Sequence, residues 1–104
     1  MMRGEVYRLR PPRVSGHEQQ GPRYGVIVQA SPLLQGSTAI VAPTSRSAPA
    51  ASWRPVIELA GTETRVLVDK LAAVDVGRLG ALAGYLTHAE TEDLDAALRA
   101  VLAL

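Results

Sequence analysis

The sequence predicts a mainly β fold, a small β-barrel with helices packed on it. Three observations lead there. Short β-branched runs recur between proline and glycine breaks, one amphipathic stretch stands near the C-terminal end, and 104 residues suffice for one domain with a single modest core but not for two. No run of strands alternating with long helical patterns suggests a parallel βαβ arrangement. Residues 1–104 read as one domain.

The elements follow in order. Gly4 to Arg10 (GEVYRLR) alternates, with Val6 on one side and Glu5, Tyr7 and Leu9 on the other, until Pro11-Pro12 ends the run. Gly25 to Ala30 (GVIVQA) and Thr38 to Ala42 (TAIVA) are β-branched runs bounded by Ser31-Pro32 and by Pro43, and both read as buried strands. Thr44 to Arg54 (TSRSAPAASWR) is small, polar and proline-bearing, which predicts an exposed mobile loop. Val56 to Leu59 and Arg65 to Leu71 read as strands joined by a hairpin around Gly61-Thr62. Asp75 can cap a short helical turn over Val76 to Leu79 that Gly80 stops, and Leu82 to Leu86 reads as the last strand. Thr87 with Glu90 three residues on forms a capping box. It opens a helix whose apolar face is Leu94, Ala97, Leu98, Val101 and Leu102.

Composition narrows the function. Cysteine is absent, no N-terminal segment has the pattern of a secretory signal, and no apolar run approaches the roughly 20 residues of a membrane-spanning helix. A cytoplasmic, soluble protein without disulfides is expected. The net charge of +1 hides an asymmetry. Residues 1–54 hold seven arginines, no lysine and two glutamates, whereas residues 55–104 hold four basic residues against eight acidic ones. Arginine without lysine suits planar, bidentate binding of phosphate, although solvated surface charge is the plainer account of composition taken alone. Two distant histidines and scattered carboxylates lack ligand spacing, so no metal site and no cofactor is expected.

Chemistry concentrates at two places. The loop Gly16–Gly21 displays His17, Glu18, Gln19 and Gln20, with Arg23 just before the strand Gly25–Ala30. Such a loop can bind an anion or serve only as a polar hairpin turn. Thr44, Ser45 and Ser47 stand beside Arg46 at the end of the third strand, where hydroxyls bond either a phosphate or their own turn. Trp53, the only tryptophan, lies between Arg46 and Arg54. A base could stack on its ring while guanidinium groups hold the backbone, or the ring could fold back over the core. His88, in the first turn of the helix, reads as a surface residue.

In order and spacing these pieces resemble the MazF/PemK (Kid-like) toxins of bacterial toxin–antitoxin pairs. The resemblance is carried by Arg3-Gly4-Glu5-Val6-Tyr7, Gly16-His17-Glu18-Gln19 with Arg23, Thr38-Ala39-Ile40-Val41-Ala42-Pro43-Thr44-Ser45, Val66-Leu67-Val68-Asp69, Val74-Asp75 with Arg78-Leu79-Gly80, and Asp95-Ala96-Ala97-Leu98. It implies a compact SH3-like barrel with a C-terminal amphipathic helix, a homodimer, and metal-independent cleavage of single-stranded RNA at short sequences. It also implies silencing by a cognate antitoxin peptide. By the resemblance Arg23 is essential, a hydroxyl after the third strand (Ser45, or Thr44) assists it, and Glu18 is implicated in some members; as a base, His17 or Glu18 can serve, the histidine having the ordinary pKa nearer neutrality. Arg8, Arg10, Arg13, Gln19, Arg46, Trp53 and Arg54 are the candidate RNA-binding residues. Two positions depart from the pattern: Tyr24 follows the arginine where many relatives have proline, and Lys70 follows Asp69 where many have glutamine. The competing readings are a gyrase-poisoning toxin of the same barrel and a non-catalytic protein-binding barrel. The former group is expected to carry an aromatic C-terminal tail, where this chain reads Leu102-Ala103-Leu104.

Overall fold

In the computed structural model, which describes residues 1–11 and 23–104, the chain folds into a curled sheet of seven strands with one helix packed on it. The strands are β1 (Glu5–Leu9), β2 (Arg23–Ile27), β3 (Thr38–Ser45), β4 (Val56–Leu59), β5 (Thr62–Val66), β6 (Ala72–Asp75) and β7 (Leu79–Tyr85), and the helix α1 is His88–Leu102. All pairings are antiparallel, in the order β4-β5-β3-β2-β1-β7, with β6 also paired to β3. The mainly β expectation holds.

β3 is the organising strand. Val41 faces Ile27 of β2 on one edge and Ala72 of β6 on the other, while Thr44 and Ser45 face Val66 and Arg65 of β5. The expected end of this strand at Ala42, before Pro43, is therefore wrong by three residues. Proline is tolerated in a strand where the ladder is interrupted. Here the Pro43 carbonyl accepts the Leu67 N–H at 2.8 Å, and because Pro43 has no N–H to return, pairing with β5 goes no further. The chain then makes a 3-10 turn over Val68–Lys70 and rejoins β3 as β6. That interruption also explains why the expected strand Arg65–Leu71 holds only for Arg65 and Val66, while β5 begins three residues earlier, at Thr62, directly across the hairpin from Leu59. Leu67 and Val68 are apolar because they are buried in a turn, and an apolar run alone does not distinguish a turn from a strand.

Smaller corrections have similarly local causes. β2 starts two residues earlier than expected and stops at Ile27, since Ala30 leads into a 3-10 turn with Pro32 in its first positions. The β4–β5 hairpin turns on Ala60-Gly61, with Leu59 opposite Thr62. Both turn residues have positive φ, 53° and 79°, as a two-residue type I′ turn requires. β6 is unanticipated: Ala72 and Ala73 are exposed, so the strand has no alternating signature. Asp75 caps the next turn as expected, accepting the Gly77 N–H at 2.7 Å, but the turn is a 3-10 turn over Val76–Arg78. β7 then begins at Leu79, with Gly80 inside it. A Cβ at Gly80 would lie 3.0 Å from the Arg8 carbonyl oxygen, so glycine there admits the backbone of β1 rather than stopping a helix.

The sheet buries apolar side chains on both faces. Val6, Val26, Val28 and Ala42 pack with Ile57, Leu59, Val66 and Val68 and with Leu94 and Ala97 of α1, whereas Ile27, Ala39, Val41 and Leu79 form a second cluster with Tyr7, Leu9, Leu34, Val74 and Val76 around them. Phenylalanine is absent, and close packing rests on β-branched residues suited to a pleated surface.

Two polar links fix the helix. The Thr87 hydroxyl accepts the Glu90 N–H at 3.1 Å, and the Glu90 carboxylate accepts the Thr87 N–H and, through its other oxygen, the Glu58 N–H of β4, both at 2.8 Å. One side chain thus completes the capping box and occupies a donor on an edge strand. Arg3 donates to the Val28 carbonyl at 2.9 Å and pairs with Asp95 at 2.7 Å, joining the N-terminal segment, the end of β2 and α1.

On the second face the Tyr7 hydroxyl donates to Glu5 at 2.8 Å. Burial, that hydrogen bond and the charge of Glu5 raise the Tyr7 pKa from 10.0 to about 12. The folded state therefore holds the phenolic proton more tightly than the unfolded chain, and this contribution to stability is complete below pH 10 and lost as pH rises toward 12. Ultraviolet titration is expected to show a late phenolate transition that Tyr7→Phe removes. A difference spectrum between the two proteins centred near the ordinary tyrosine value would contradict the arrangement.

Candidate nucleic-acid interface

Strand register sets Arg23 and Ser45 at the same end of the β2–β3 ladder. The β2–β3 ladder ends at Gly25 opposite Pro43, and Arg23 and Ser45 each lie two residues beyond that pair. Each strand then follows another neighbour, Arg23 opposite Leu9 of β1 and Ser45 opposite Arg65 of β5. Both residues therefore stand at the end of the sheet where β2 and β3 part. Arg23 is exposed, and its guanidinium has no hydrogen-bond partner among the described residues.

The two candidate hydroxyls differ in what they already do. Thr44 is buried at 7% exposure and its hydroxyl donates to the Tyr24 carbonyl at 3.3 Å. Ser45 is partly exposed, and its oxygen accepts the N–H groups of Ser47 at 3.3 Å and Ala48 at 3.1 Å. Two donors on one oxygen polarise the hydroxyl, and among the described residues the acceptor within its reach is the Ser47 hydroxyl at 3.5 Å, a contact in which either oxygen can donate. Ser45 can thus close its own turn and still donate outward, so the two readings of a serine after a strand are compatible.

The expected RNA-binding residues divide into free and committed. Arg8 and Arg46 are exposed, without hydrogen-bond partners among the described residues, and Trp53 is 44% exposed rather than folded over the core. Arg10 is committed: its guanidinium donates to the Gly77 carbonyl at 2.8 Å, while Arg78 donates back to the Arg10 carbonyl at 3.0 Å. Arg54 is committed more fully. It grips Asp69 through Nη2 at 3.1 Å and Nε at 3.3 Å and reaches the Pro49 carbonyl at 3.4 Å. That fork holds the Asp69 carboxyl below its usual range and raises the Arg54 pKa, the hydrogen bond between them being the main cause of each shift. The expected mobile loop is therefore tied down at its end. His17, Glu18, Gln19 and Arg13 lie outside the described residues. His88 is on the surface as expected, paired with Glu92 at 3.0 Å.

Two residues at this end of the sheet escaped the sequence reading. Arg65 stands opposite Ser45 and donates to the Arg54 carbonyl at 3.1 Å. Asp69 lies in the 3-10 turn and anchors Arg54. Neither has a local signal, because Arg65 takes its place from the β3–β5 ladder and Asp69 from the turn that follows where that ladder ends. Among the described residues no three of His, Cys, Asp and Glu converge as metal ligands would, and no helix is long and apolar enough to cross a membrane.

This arrangement defines a small curled-sheet protein with a basic, hydroxyl-bearing strand end and a C-terminal helix, an architecture found in several toxin structures. The chain superimposes on MazF of a MazE–MazF complex from Deinococcus radiodurans with a TM-score of 0.82 at 17% identity, covering 100% of this chain and 96% of that one. It matches the Mycobacterium tuberculosis toxin MazF-mt6 with a TM-score of 0.79 at 15% identity, covering 96% and 97%. A mycobacterial endoribonuclease in complex with its cognate antitoxin matches with a TM-score of 0.77 at 19% identity, covering 100% and 96%. These likenesses establish the fold. In sequence, the chain is 40% identical over 77 residues to a candidate toxin of Mycobacterium tuberculosis, Rv3098A, spanning 73% of this chain and 72% of that protein. Residues 2–102 match the family model for PemK-like, MazF-like toxins of type II toxin–antitoxin systems, and the chain belongs to that family.

Proposed function

We propose that the protein is a sequence-specific, metal-independent endoribonuclease that cleaves single-stranded RNA through the substrate's own 2′-hydroxyl and is inhibited by a cognate antitoxin in the cytoplasm. The observation that carries this reading is an exposed arginine, Arg23, and a hydroxyl that accepts two N–H groups, Ser45, each two residues beyond the last β2–β3 pair. Family membership supports it, as does the naming of a structural neighbour as an endoribonuclease bound to its antitoxin. A homodimer is the expected assembly.

In this reading the 2′-oxygen attacks phosphorus, the bond from phosphorus to the 5′-oxygen breaks, and the products are a 2′,3′-cyclic phosphate and a 5′-hydroxyl. The Arg23 guanidinium offers a planar fork of donors to the phosphate oxygens as negative charge accumulates there, which is electrostatic stabilisation of the transition state. Ser45 donates a hydrogen bond to the same phosphate. His17 or Glu18 takes the proton of the 2′-hydroxyl, the histidine having the ordinary pKa nearer neutrality. A guanidinium is an intrinsically poor acid, so Arg23 acts mainly through its charge and geometry, and the departing 5′-oxygen takes its proton from solvent water. Arg8 and Arg46 hold flanking phosphates.

Arg23→Ala is expected to lower kcat by about 10²–10³-fold with the fold intact, as loss of one oxyanion donor does. Ser45→Ala should also lower kcat, whereas Thr44→Val, which removes a buried hydroxyl, should lower melting temperature more than rate. Full activity of a folded Arg23→Ala protein on a long RNA would overturn the assignment.

The antitoxin segment is expected to be acidic and disordered when free, and to cross the same basic surface as RNA. Inhibition should then be competitive and weaken with rising salt, since both ligands depend on exposed arginines. Titration of a cognate antitoxin peptide against labelled, uncleavable RNA measures this; a ternary complex with both ligands at full affinity would refute the shared surface.

A further inference from the structure

The loop from Arg46 to Arg54 carries chemistry that the cleavage step does not use. It contains the only tryptophan of the chain, left 44% exposed in a protein that has no phenylalanine with which to fill its core. Both ends of the loop are fixed. Its start is held by the Ser45 hydroxyl through the N–H groups of Ser47 and Ala48. Its end is held by Arg54, whose backbone N–H donates to the Ala51 carbonyl at 2.9 Å and whose guanidinium bonds both Asp69 and the Pro49 carbonyl.

The Arg54 and Asp69 side chains are only 19% and 29% exposed. A guanidinium bound on three of its nitrogens cannot offer a fork to phosphate without first losing the carboxylate, so Arg54 is poorly placed as an RNA ligand. Asp69, in turn, rides on a turn whose Val68 is fully buried against the core. The rigidity of the core is thus transmitted through Asp69 and Arg54 to the loop, and Trp53 is presented between two anchored points. A ring carried on backbone that is already anchored loses less freedom when a base stacks on it than one on a loose loop.

We infer that Arg54 and Asp69 form a positioning pair that holds Trp53 as a stacking platform for one base of the RNA. This rests on the RNA reading proposed above. It makes Trp53 a determinant of binding and Arg54 a residue that acts through Trp53, not a phosphate ligand.

Trp53 fluorescence tests this in the unmodified protein, because no other tryptophan contributes. The probe is a 2′-O-methyl oligonucleotide copied from a cleaved sequence, which binds but lacks the attacking hydroxyl. It should quench Trp53 emission with the same Kd that a direct binding assay gives. Trp53→Ala should raise KM about tenfold, the size of one base–aromatic stack, with kcat unchanged, and Trp53→Phe should restore most of the loss. Arg54→Lys and Asp69→Asn should each raise KM several-fold with kcat unchanged, and should expose Trp53 to acrylamide in the free protein. Bound RNA that leaves Trp53 emission unaltered, or a Trp53→Ala protein with the wild-type KM, would overturn the inference and leave the RNA reading standing. A wild-type protein that neither binds nor cuts RNA would remove both. Should a variant fail to fold, the wild-type quenching still decides.

Discussion

The missing N–H of Pro43 is the constraint from which the candidate interface follows. β3 is flanked along both edges, and a strand so placed does not ordinarily hold proline, because an unmade ladder bond leaves a buried acceptor without its donor. Here the chain answers the defect by leaving the ladder. Leu67 gives its N–H to the Pro43 carbonyl, the 3-10 turn Val68–Lys70 follows, and the edge of β3 is resumed by β6. The detour places Val68 in the core and Asp69 outside it, within reach of Arg54. Without the interruption β5 would run on along β3, and Arg54, at the end of the loop carrying Trp53, would lose its carboxylate partner.

The same economy of polar groups secures the opposite side of the barrel. β4 is an edge strand, and exposed edge donors invite unwanted pairing. Glu90 closes one of them while capping α1, so the helix cannot leave the barrel without also uncovering the edge. Arg3 adds a second tie through Asp95 and the Val28 carbonyl. Acidic residues of the second half therefore serve largely in β4, β5 and α1, whereas Arg8, Arg23 and Arg46 are exposed toward the ends of β1, β2 and β3, without hydrogen-bond partners among the described residues. The charge asymmetry visible in the sequence thus becomes a spatial one.

How much of this could be read from the sequence depends on whether the deciding interaction is local. The capping box of Thr87 and Glu90, the apolar core positions Leu94 and Ala97, and the Asp75 cap were legible, since each depends on residues a few positions apart. β1 and β4 were legible from their short, bounded patterns. β6 was not, because its pairing with β3 is made by Ala72, Ala73 and Val74, two of them exposed small residues without alternation. The ends of β3 and β5 were misplaced for one shared reason: Pro43 and Leu67 act on each other across 24 residues. At the candidate interface Arg23 and Ser45 were visible as residue types beside strands. The commitments of Arg10 to a carbonyl and of Arg54 to Asp69 were not, since nothing in the chain near an arginine announces a distant acceptor.

The central claim is that this strand end directs a 2′-hydroxyl at its neighbouring phosphate, and the chemistry of the product ends tests it most directly. Purified protein incubated with a long single-stranded RNA in excess chelator should yield fragments that end in 2′,3′-cyclic phosphate and begin with a 5′-hydroxyl. Fragments that appear only on addition of Mg²⁺, or that begin with a 5′-phosphate, would contradict the account.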